Sequence, residues 1–479
     1  MEHGKEQVDL VLRHGQIVTM DAERRILVDG AIAVRDGRIV AADPDREVSA
    51  AYGADEERDL AGALVHPGLI DAHVHAGFQE LTSGFAPKDL AEFSVIDTAL
   101  FSAKSPEQDH LGALMSSMEM TANGTTFFCD TGSSFWLDET VRAVNMVGIR
   151  GIPGHFLLDV AAEVPEPDQE EWEGSITVEE SELFRLPTDE CISRLTDQLD
   201  RYPLGNGIRV GCAVTVYGCC RNSDELLLEA KRLADRHGVP MVMHLSWGPE
   251  EVTISLVESG RRPVEHLADL GILDENLTLV HMNHLSDEEF ALVVESGAGV
   301  VHCPAASVRR GMGAIRQGRF PEMLAAGVPV ALGSDGISGR RDLLRQAYLA
   351  AIGFREMRGD FPVLTGEDVL EMATVHGARV LGMTDELGSI EVGKRADIVV
   401  HTLDRPEAHP RFQDPVDSLV YFRGSSTVET VFVDGEAILD KGRFTRFDAD
   451  EAYRTIDAES ARFERGLGAS TFAAWPLVE

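Results

Sequence analysis

The sequence predicts a (β/α)8 barrel with a small β-sandwich domain assembled from both chain ends. Three observations predict it. Eight short apolar runs alternate with helix-like stretches through the middle of the chain, hairpin-rich texture occupies both flanks, and several of the eight runs end in histidine or aspartate. At 479 residues the chain exceeds the size at which a single core keeps growing, so a large domain with a smaller companion is expected.

From Val8 to about Val65, runs such as Val8-Asp9-Leu10-Val11-Leu12 and Ala31-Ile32-Ala33-Val34 are separated by turns at His14-Gly15 and Asp36-Gly37, the pattern of hairpins. The same texture returns in Ala396 to His401 and Thr430 to Gly435. The expected division is therefore 1–66 for the first part of the sandwich, 67–385 for the barrel, and 386–479 for the rest of the sandwich and a terminal helix.

Within the barrel, eight strands are expected: Gly68 to His75, Thr125 to Asp130, Ile149 to Leu158, Ile208 to Val214, Val239 to His244, Leu277 to His281, Gly299 to Cys303 and Val328 to Asp335. The connections are long enough for helices, as in Asp224 to His237. Val164 to Leu186, rich in Glu and Pro, reads as a long loop at the barrel mouth.

Charge narrows the choice of partners. With 43 basic against 81 acidic residues the formal charge is −38, and a nucleic-acid backbone would meet repulsion over most of such a surface. Only six of the basic residues are lysine, a balance similar to that of proteins from salt-accumulating cytoplasms, where counterions screen self-repulsion. No run of about 18 apolar residues predicts a membrane span. The start Met1-Glu2-His3-Gly4-Lys5-Glu6 lacks the order of a secretory signal, so a cytoplasmic location is expected. The six cysteines show no CxxC spacing and read as reduced thiols.

The chemistry concentrates at strand ends. His73 and His75 sit i, i+2 on one strand, so both imidazoles point to the same side. The fifth strand ends in His244, the sixth in His281 and the eighth in Asp335. A single histidine at a strand end is more often a core residue than a ligand, but five such groups on the face where barrels build active sites point to a metal. Three imidazoles and a carboxylate suit Zn²⁺, with Fe²⁺ also accommodated, at about 2.0–2.2 Å per bond. An open position would hold water and lower its pKa toward about 7. His281 would orient that water and polarise the substrate, and Asp335 would accept the proton and pass it to the leaving group.

The strings Pro67-Gly68-Leu69-Ile70-Asp71-Ala72-His73-Val74-His75, Val242-Met243-His244-Leu245, Val280-His281-Met282-Asn283-His284-Leu285-Ser286-Asp287 and Leu332-Gly333-Ser334-Asp335-Gly336 resemble the amidohydrolase superfamily. Within it they are similar to the mononuclear branch of adenosine-type, guanine and cytosine deaminases and triazine chlorohydrolases. Leu387 to Val399 is also typical of the family's return to its small β domain. The resemblance implies one divalent metal held by His73, His75, His244 and Asp335, with His281 as a catalytic residue beside it. Binuclear members use a carboxylated lysine, and neither the third nor the fourth strand candidate contains a lysine. Similar members are commonly dimers, so a homo-oligomer is implied as well.

The expected function is metal-dependent hydrolysis of a C–N bond in a small nitrogen-containing compound, by deamination of a cyclic amidine or by amide cleavage. Two alternatives stand beside it: hydrolytic dehalogenation of a triazine-like ring, and a metal-binding homologue without turnover. Departures from the family pattern bear on this choice. Deaminases of the branch usually read His-Leu-x-Glu, and the Glu shuttles a proton; here Trp247 holds that place, and an indole has no titratable proton. Asp335 alone, or Glu250, Glu251 or His284, would have to replace it. Thr215 stands near the position of a substrate-contacting His, and the loop after the seventh strand reads His302-Cys303-Pro304-Ala305-Ala306-Ser307. Arg309, Arg310, Arg340 and Arg341 follow the last two strands, and Arg310 is the candidate for binding an anionic substrate group. Trp247 is the candidate for stacking on a planar or cationic substrate. The plain alternatives are solvated arginines paired with acids, and an indole packed in the barrel.

Overall fold

The computed structural model describes residues 5–77, 81, 105–160, 184–205, 207–336 and 340–467. The N-terminal flank supplies β1 (Glu6–Val18), β2 (Ile26–Arg35), β3 (Arg38–Pro44), β4 (Tyr52–Asp59) and β5 (Leu64–Pro67). The barrel follows with β6 (Leu69–Val74), β7 (Thr125–Asp130), β8 (Arg150–Ile152), β9 (Val214–Val216), β10 (Met241–Leu245), β11 (Leu277–His281), β12 (Gly299–His302) and β13 (Val330–Leu332). The C-terminal flank contributes β14 (Ile398–His401), β15 (Val428–Val433), β16 (Glu436–Asp440) and β17 (Arg443–Phe444).

Both flanks join one sheet in the order β17-β16-β15-β14-β5-β1-β2-β3, with β4 on β1. They meet where β5 pairs antiparallel with β14, Val399 opposite His66. Alternating side chains of the two halves share a core of Leu12, Ile17, Ile32, Val65, Ile398 and Phe432. Each such buried side chain contributes roughly 1.5–3 kcal/mol, and because the contributors lie far apart in sequence, neither flank can bury its face alone.

The barrel strands are parallel and buried along their whole length, which is why they read as continuous apolar runs rather than alternating ones. They form the ladders β6-β7-β8 and β9-β10-β11-β12-β13. Single bridges complete the ring, Val74 to Asp335 on one side and Gly151 to Val210 on the other. Helices on the outside start and stop by local rules. In Asp224–His237, Ser223 caps the N-terminus by accepting from the Leu226 amide, and Gly238 ends it in the left-handed conformation.

The first, fifth and seventh strands differ from their expected bounds by a residue or two, the eighth shortens from the expected Val328 to Asp335 to Val330–Leu332, and the third and fourth depart most. The third is confined to Arg150–Ile152 because Pro153 has no N–H to extend the ladder, and the chain then turns to bond with Ser134. The fourth is displaced to Val214–Val216. Its predicted early part instead lies against the preceding loop, so close that a Cβ on Gly211 would sit 2.7 Å from the Leu204 Cα. Most of the expected loop Val164 to Leu186 falls outside the described residues. Among the described residues no helix is long and apolar enough to cross a membrane.

Candidate metal centre

The ends of β6, β10, β11 and the turn after β13 converge. His73 Nδ1 contacts the Thr131 hydroxyl at 2.8 Å, which turns Nε2 toward the barrel axis. His73 Nε2 and His75 Nε2 each lie 3.5 Å from Asp335 Oδ1, His75 Nε2 lies 3.3 Å from His244 Nε2, and His281 Nε2 lies 4.0 Å from Asp335 Oδ2. Donors held at about 2.1 Å from one tetrahedral cation are themselves about 3.4 Å apart. The observed spacings therefore fit a shared ion. His73 Nε2 and Asp335 Oδ2 are buried without a hydrogen-bond partner, a costly state that a cation would relieve.

Protonation favours the same reading. Burial foremost, then the charge of His73, pushes His75 down to about 3, and burial with the positive charges of His73 and Arg310 also brings His281 to about 3. Burial works to raise Asp335, but the His73 contact and the charges of His281, His73 and Arg310 prevail and hold its carboxyl well below the usual range. At neutral pH His75, His244 and His281 are thus held as neutral imidazoles beside an ionised Asp335, the forms that bind a cation.

Four non-glycine residues around these strand ends adopt left-handed backbone: Ser246 at φ 51°, His281 at 81°, Met282 at 54° and Asp335 at 63°. Such conformations cost of order 1–3 kcal/mol each and persist where surrounding structure enforces them. Here the enforcement is visible. The Met282 and Asn283 amides bond to the carbonyls of Leu245 and Ser246, and the Asp335 amide bonds to the carbonyl of His73.

The predicted substrate residues are placed less uniformly. Trp247 is half-buried, with its amide donating to Glu251 at 2.9 Å and its carbonyl accepting from Asn283 at 2.9 Å. Burial raises the Glu251 carboxyl to about 7, and its bond to the Trp247 amide occupies it as a loop brace. His284 bonds to the Met312 carbonyl, in a different loop. Arg310 ends the helix Pro304–Arg310, half-buried, and its charge reaches His75, His281 and Asp335. Arg340 is exposed and pairs with Glu119 at 3.2 Å. Arg341, by contrast, is buried and donates to the His75 carbonyl at 3.2 Å, so the expectation of a solvated side chain fails there.

Sequence reasoning missed the groups that hold the ligands. Asp71 accepts from the amide and hydroxyl of Ser334, at 2.9 and 2.5 Å, tying β6 to the turn that carries Asp335. Thr131, directly after β7, fixes His73, and Tyr217 lays its ring on His244 with centroids 4.8 Å apart. A hydroxyl residue just past a strand end was the available signal for Thr131. Nothing in spacing marks Asp71 or Tyr217. Cys303 also approaches His73 and Asp335 closely enough to be a donor, although burial raises its thiol pKa well above the ordinary value.

Residues 64–438 match the Amidohydrolase family. A 5-methylthioadenosine/S-adenosylhomocysteine deaminase of Syntrophobacter fumaroxidans is 31% identical over 458 residues, covering 95% of this chain and 98% of the relative. The crystal structure of an adenosine deaminase from Xanthomonas campestris with bound zinc superposes with a TM-score of 0.85 at 25% identity, over 97% of this chain and 100% of that one. An atrazine chlorohydrolase from Arthrobacter aurescens TC1, complexed with zinc, shares the fold with a TM-score of 0.80 at 22% identity, over 94% and 100% of the two chains. The chain described here belongs to the amidohydrolase family, as a metal-dependent hydrolase of carbon–nitrogen bonds other than peptide bonds.

Proposed function

We propose that this protein deaminates an amino-substituted nitrogen heterocycle of the adenosine type, using one Zn²⁺ held by His73, His75, His244 and Asp335. The observation that carries the proposal is the convergence of these donors at 3.3 to 3.5 Å, with ligand atoms left unpaired in a buried place. The names of the curated relatives, matched over nearly the full chain, support the substrate class. A single ion is supported by the lack of lysine in β8 and β9.

When bound, the cation supplies a Lewis acid that makes water nucleophilic near neutral pH. Asp335, ionised by its surroundings, accepts the proton released as water attacks the ring carbon bearing the amine. His281, neutral and 4.0 Å from that carboxylate, orients the electrophilic carbon and donates to the ring atom on which negative charge develops. Asp335 then returns its proton to the amine, the C–N bond breaks, and ammonia leaves. Trp247 cannot relay a proton, Glu251 is bound to the Trp247 amide and His284 to the Met312 carbonyl, and both transfers are assigned to Asp335, the carboxylate among the metal-site donors. Arg310 and Trp247 complete the proposal as substrate-binding groups, for an anionic substituent and a planar ring respectively.

The tryptophan also favours a second reading. Halide leaves without protonation, so a site with one proton-carrying carboxylate also suits hydrolytic dehalogenation of a triazine-like ring. Ammonia release from adenosine-type nucleosides by zinc-loaded protein is the expected result. Chloride release from a chlorotriazine with no ammonia from any aminopurine would replace the first reading by the second.

A further inference from the structure

We infer that Glu251 is a positioning residue for the reaction: its buried carboxylate gathers the backbone amides of Ser246 and Trp247 and so fixes where Trp247 meets the substrate. This deepens the proposed function and rests on it for the part assigned to Trp247. Glu251 Oε2 accepts from the Trp247 amide at 2.9 Å, and the Ser246 amide also bonds to this carboxylate. The residue is 2% exposed. On Gly218, from the loop after β9, a Cβ would lie 2.3 Å from the His244 carbonyl oxygen and 3.8 Å from Glu251 Oε1, so the carboxylate sits in a filled place beside the end of β10.

Glu251 is the third residue of the helix Pro249–Ser259. A glutamate at that position ordinarily turns back to the amide of the capping residue, here Gly248. This one reaches past the cap to Trp247 and Ser246. Serving the helix alone would need neither that reach nor the burial.

The turn that it holds is one that a serine resists. Ser246 has left-handed backbone at φ 51°, which persists where the surroundings enforce it. The other side of the turn is held by the loop after β11. The Asn283 amide donates to the Ser246 carbonyl at 2.9 Å, and the Asn283 side chain donates to the Trp247 carbonyl at 2.9 Å. The backbone groups of Ser246 and Trp247 are thus divided between two clamps, the amides on one carboxylate and the carbonyls on Asn283. Trp247 is thereby fixed relative to His244, three residues before it, and to His281, two residues before Asn283. A carboxylate accepts more strongly than a neutral group, which suits it to hold two amides at once.

The test uses zinc-loaded wild type and Glu251→Gln at about pH 8, above the value of about 7 to which burial raises this carboxyl. Glutamine keeps the size of the side chain but brings an NH₂ group to a place where two donors need acceptors. Hydrogen exchange followed by mass spectrometry reads the turn without turnover, and the amides of Ser246 and Trp247 should exchange at least about tenfold faster in the variant. Ammonia release from adenosine should show KM raised about tenfold and kcat changed less than about threefold, because Trp247 is assigned to binding and not to proton transfer. In a Trp247→Ala background the same substitution should leave KM unchanged, since no indole remains to be misplaced. Cys220→Ala removes a thiol bonded to the Glu251 carbonyl and spares the carboxylate, so it should keep the wild-type KM. If circular dichroism shows Glu251→Gln unfolded, Glu251→Asp, with its charge on a shorter arm, should give the same exchange and the same rise in KM. Unchanged exchange, or an unchanged KM, overturns the inference and leaves the deaminase reading intact. An equal rise in KM with and without the indole also overturns it, because Glu251 would then act on the protein as a whole. No ammonia from any aminopurine overturns the deaminase reading; faster exchange with a raised KM for a chlorotriazine would then still support Glu251 in its role.

Discussion

The backbone amide of Asp335 donates to the carbonyl oxygen of His73 across 3.0 Å, joining the first and eighth barrel strands at the residues whose side chains converge. Ring closure and ligand placement are thus the same event. Gly333 permits it, since a Cβ there would fall 2.8 Å from the His73 Cβ.

Asp335→Asn should preserve the fold, because the amide that closes the ring is untouched. It removes the one carboxylate assigned to both proton transfers, so kcat/KM should fall by about 10²–10⁴. Steady-state ammonia release checks this. A loss under tenfold would reassign the proton transfers.

Thr131→Val removes the hydroxyl that holds His73 Nδ1 and nearly preserves volume. Loss of an outer partner typically costs about 10–100-fold in metal affinity. Competition with a chelator of known strength measures it, and unchanged affinity would show that packing alone orients His73.

Arg310→Ala tests the assignment that sequence spacing made and the charge distribution supports. A guanidinium bond to a charged group is worth about 1.5–3 kcal/mol, so KM for a carboxylate-bearing substrate should rise roughly 10–100-fold. An uncharged analogue should respond less. Unchanged saturation by both would remove Arg310 from the substrate site.

A second histidine pair lies away from the metal centre, at the seam of the two flanks. His66 Nδ1 faces the Pro67 carbonyl at 2.7 Å and must carry a proton, so His66 Nε2 accepts from His401 Nε2 at 2.9 Å. His401 Nδ1 then accepts from the Thr427 hydroxyl at 2.7 Å. Both rings are neutral in this arrangement. Burial lowers His66 to about 4, and burial foremost holds His401 well below the ordinary value. Because the unfolded chain binds these protons first, near pH 6.5, stability is flat above that point and falls as pH drops toward 4. The slope is about 1.4 kcal/mol per pH unit for each histidine. Urea unfolding of wild type and His401→Gln from pH 7 to 5 should show a shallower loss in the variant. Parallel curves would contradict the neutral pair.

How much of this was legible in the sequence depends on what kind of interaction carries it. The barrel was readable because parallel strands buried on both faces leave unbroken apolar runs, and His73 and His75 were readable because strand alternation fixes their common side. The bounds of β8 and β9 were not: the proline at 153 that stops β8 was passed over inside an apolar run, and the packing of Gly211 against Leu204 is encoded by no local period. For the same reason the Asp71–Ser334 link and the Tyr217–His244 stack were invisible: both join residues from different strands, and no local period encodes them. Arg341 illustrates the limit most clearly. Composition suggested a solvated cation, while the fold buries it against the His75 carbonyl.

The central claim is that three histidines and Asp335 hold one divalent ion. X-ray absorption on stoichiometrically zinc-loaded protein tests it most directly, because Cys303 lies close enough to compete. The account predicts one zinc per chain, surrounded only by nitrogen and oxygen at about 2.0–2.2 Å. A sulfur shell at about 2.3 Å, or a second metal at about 3.5–4 Å, would contradict it.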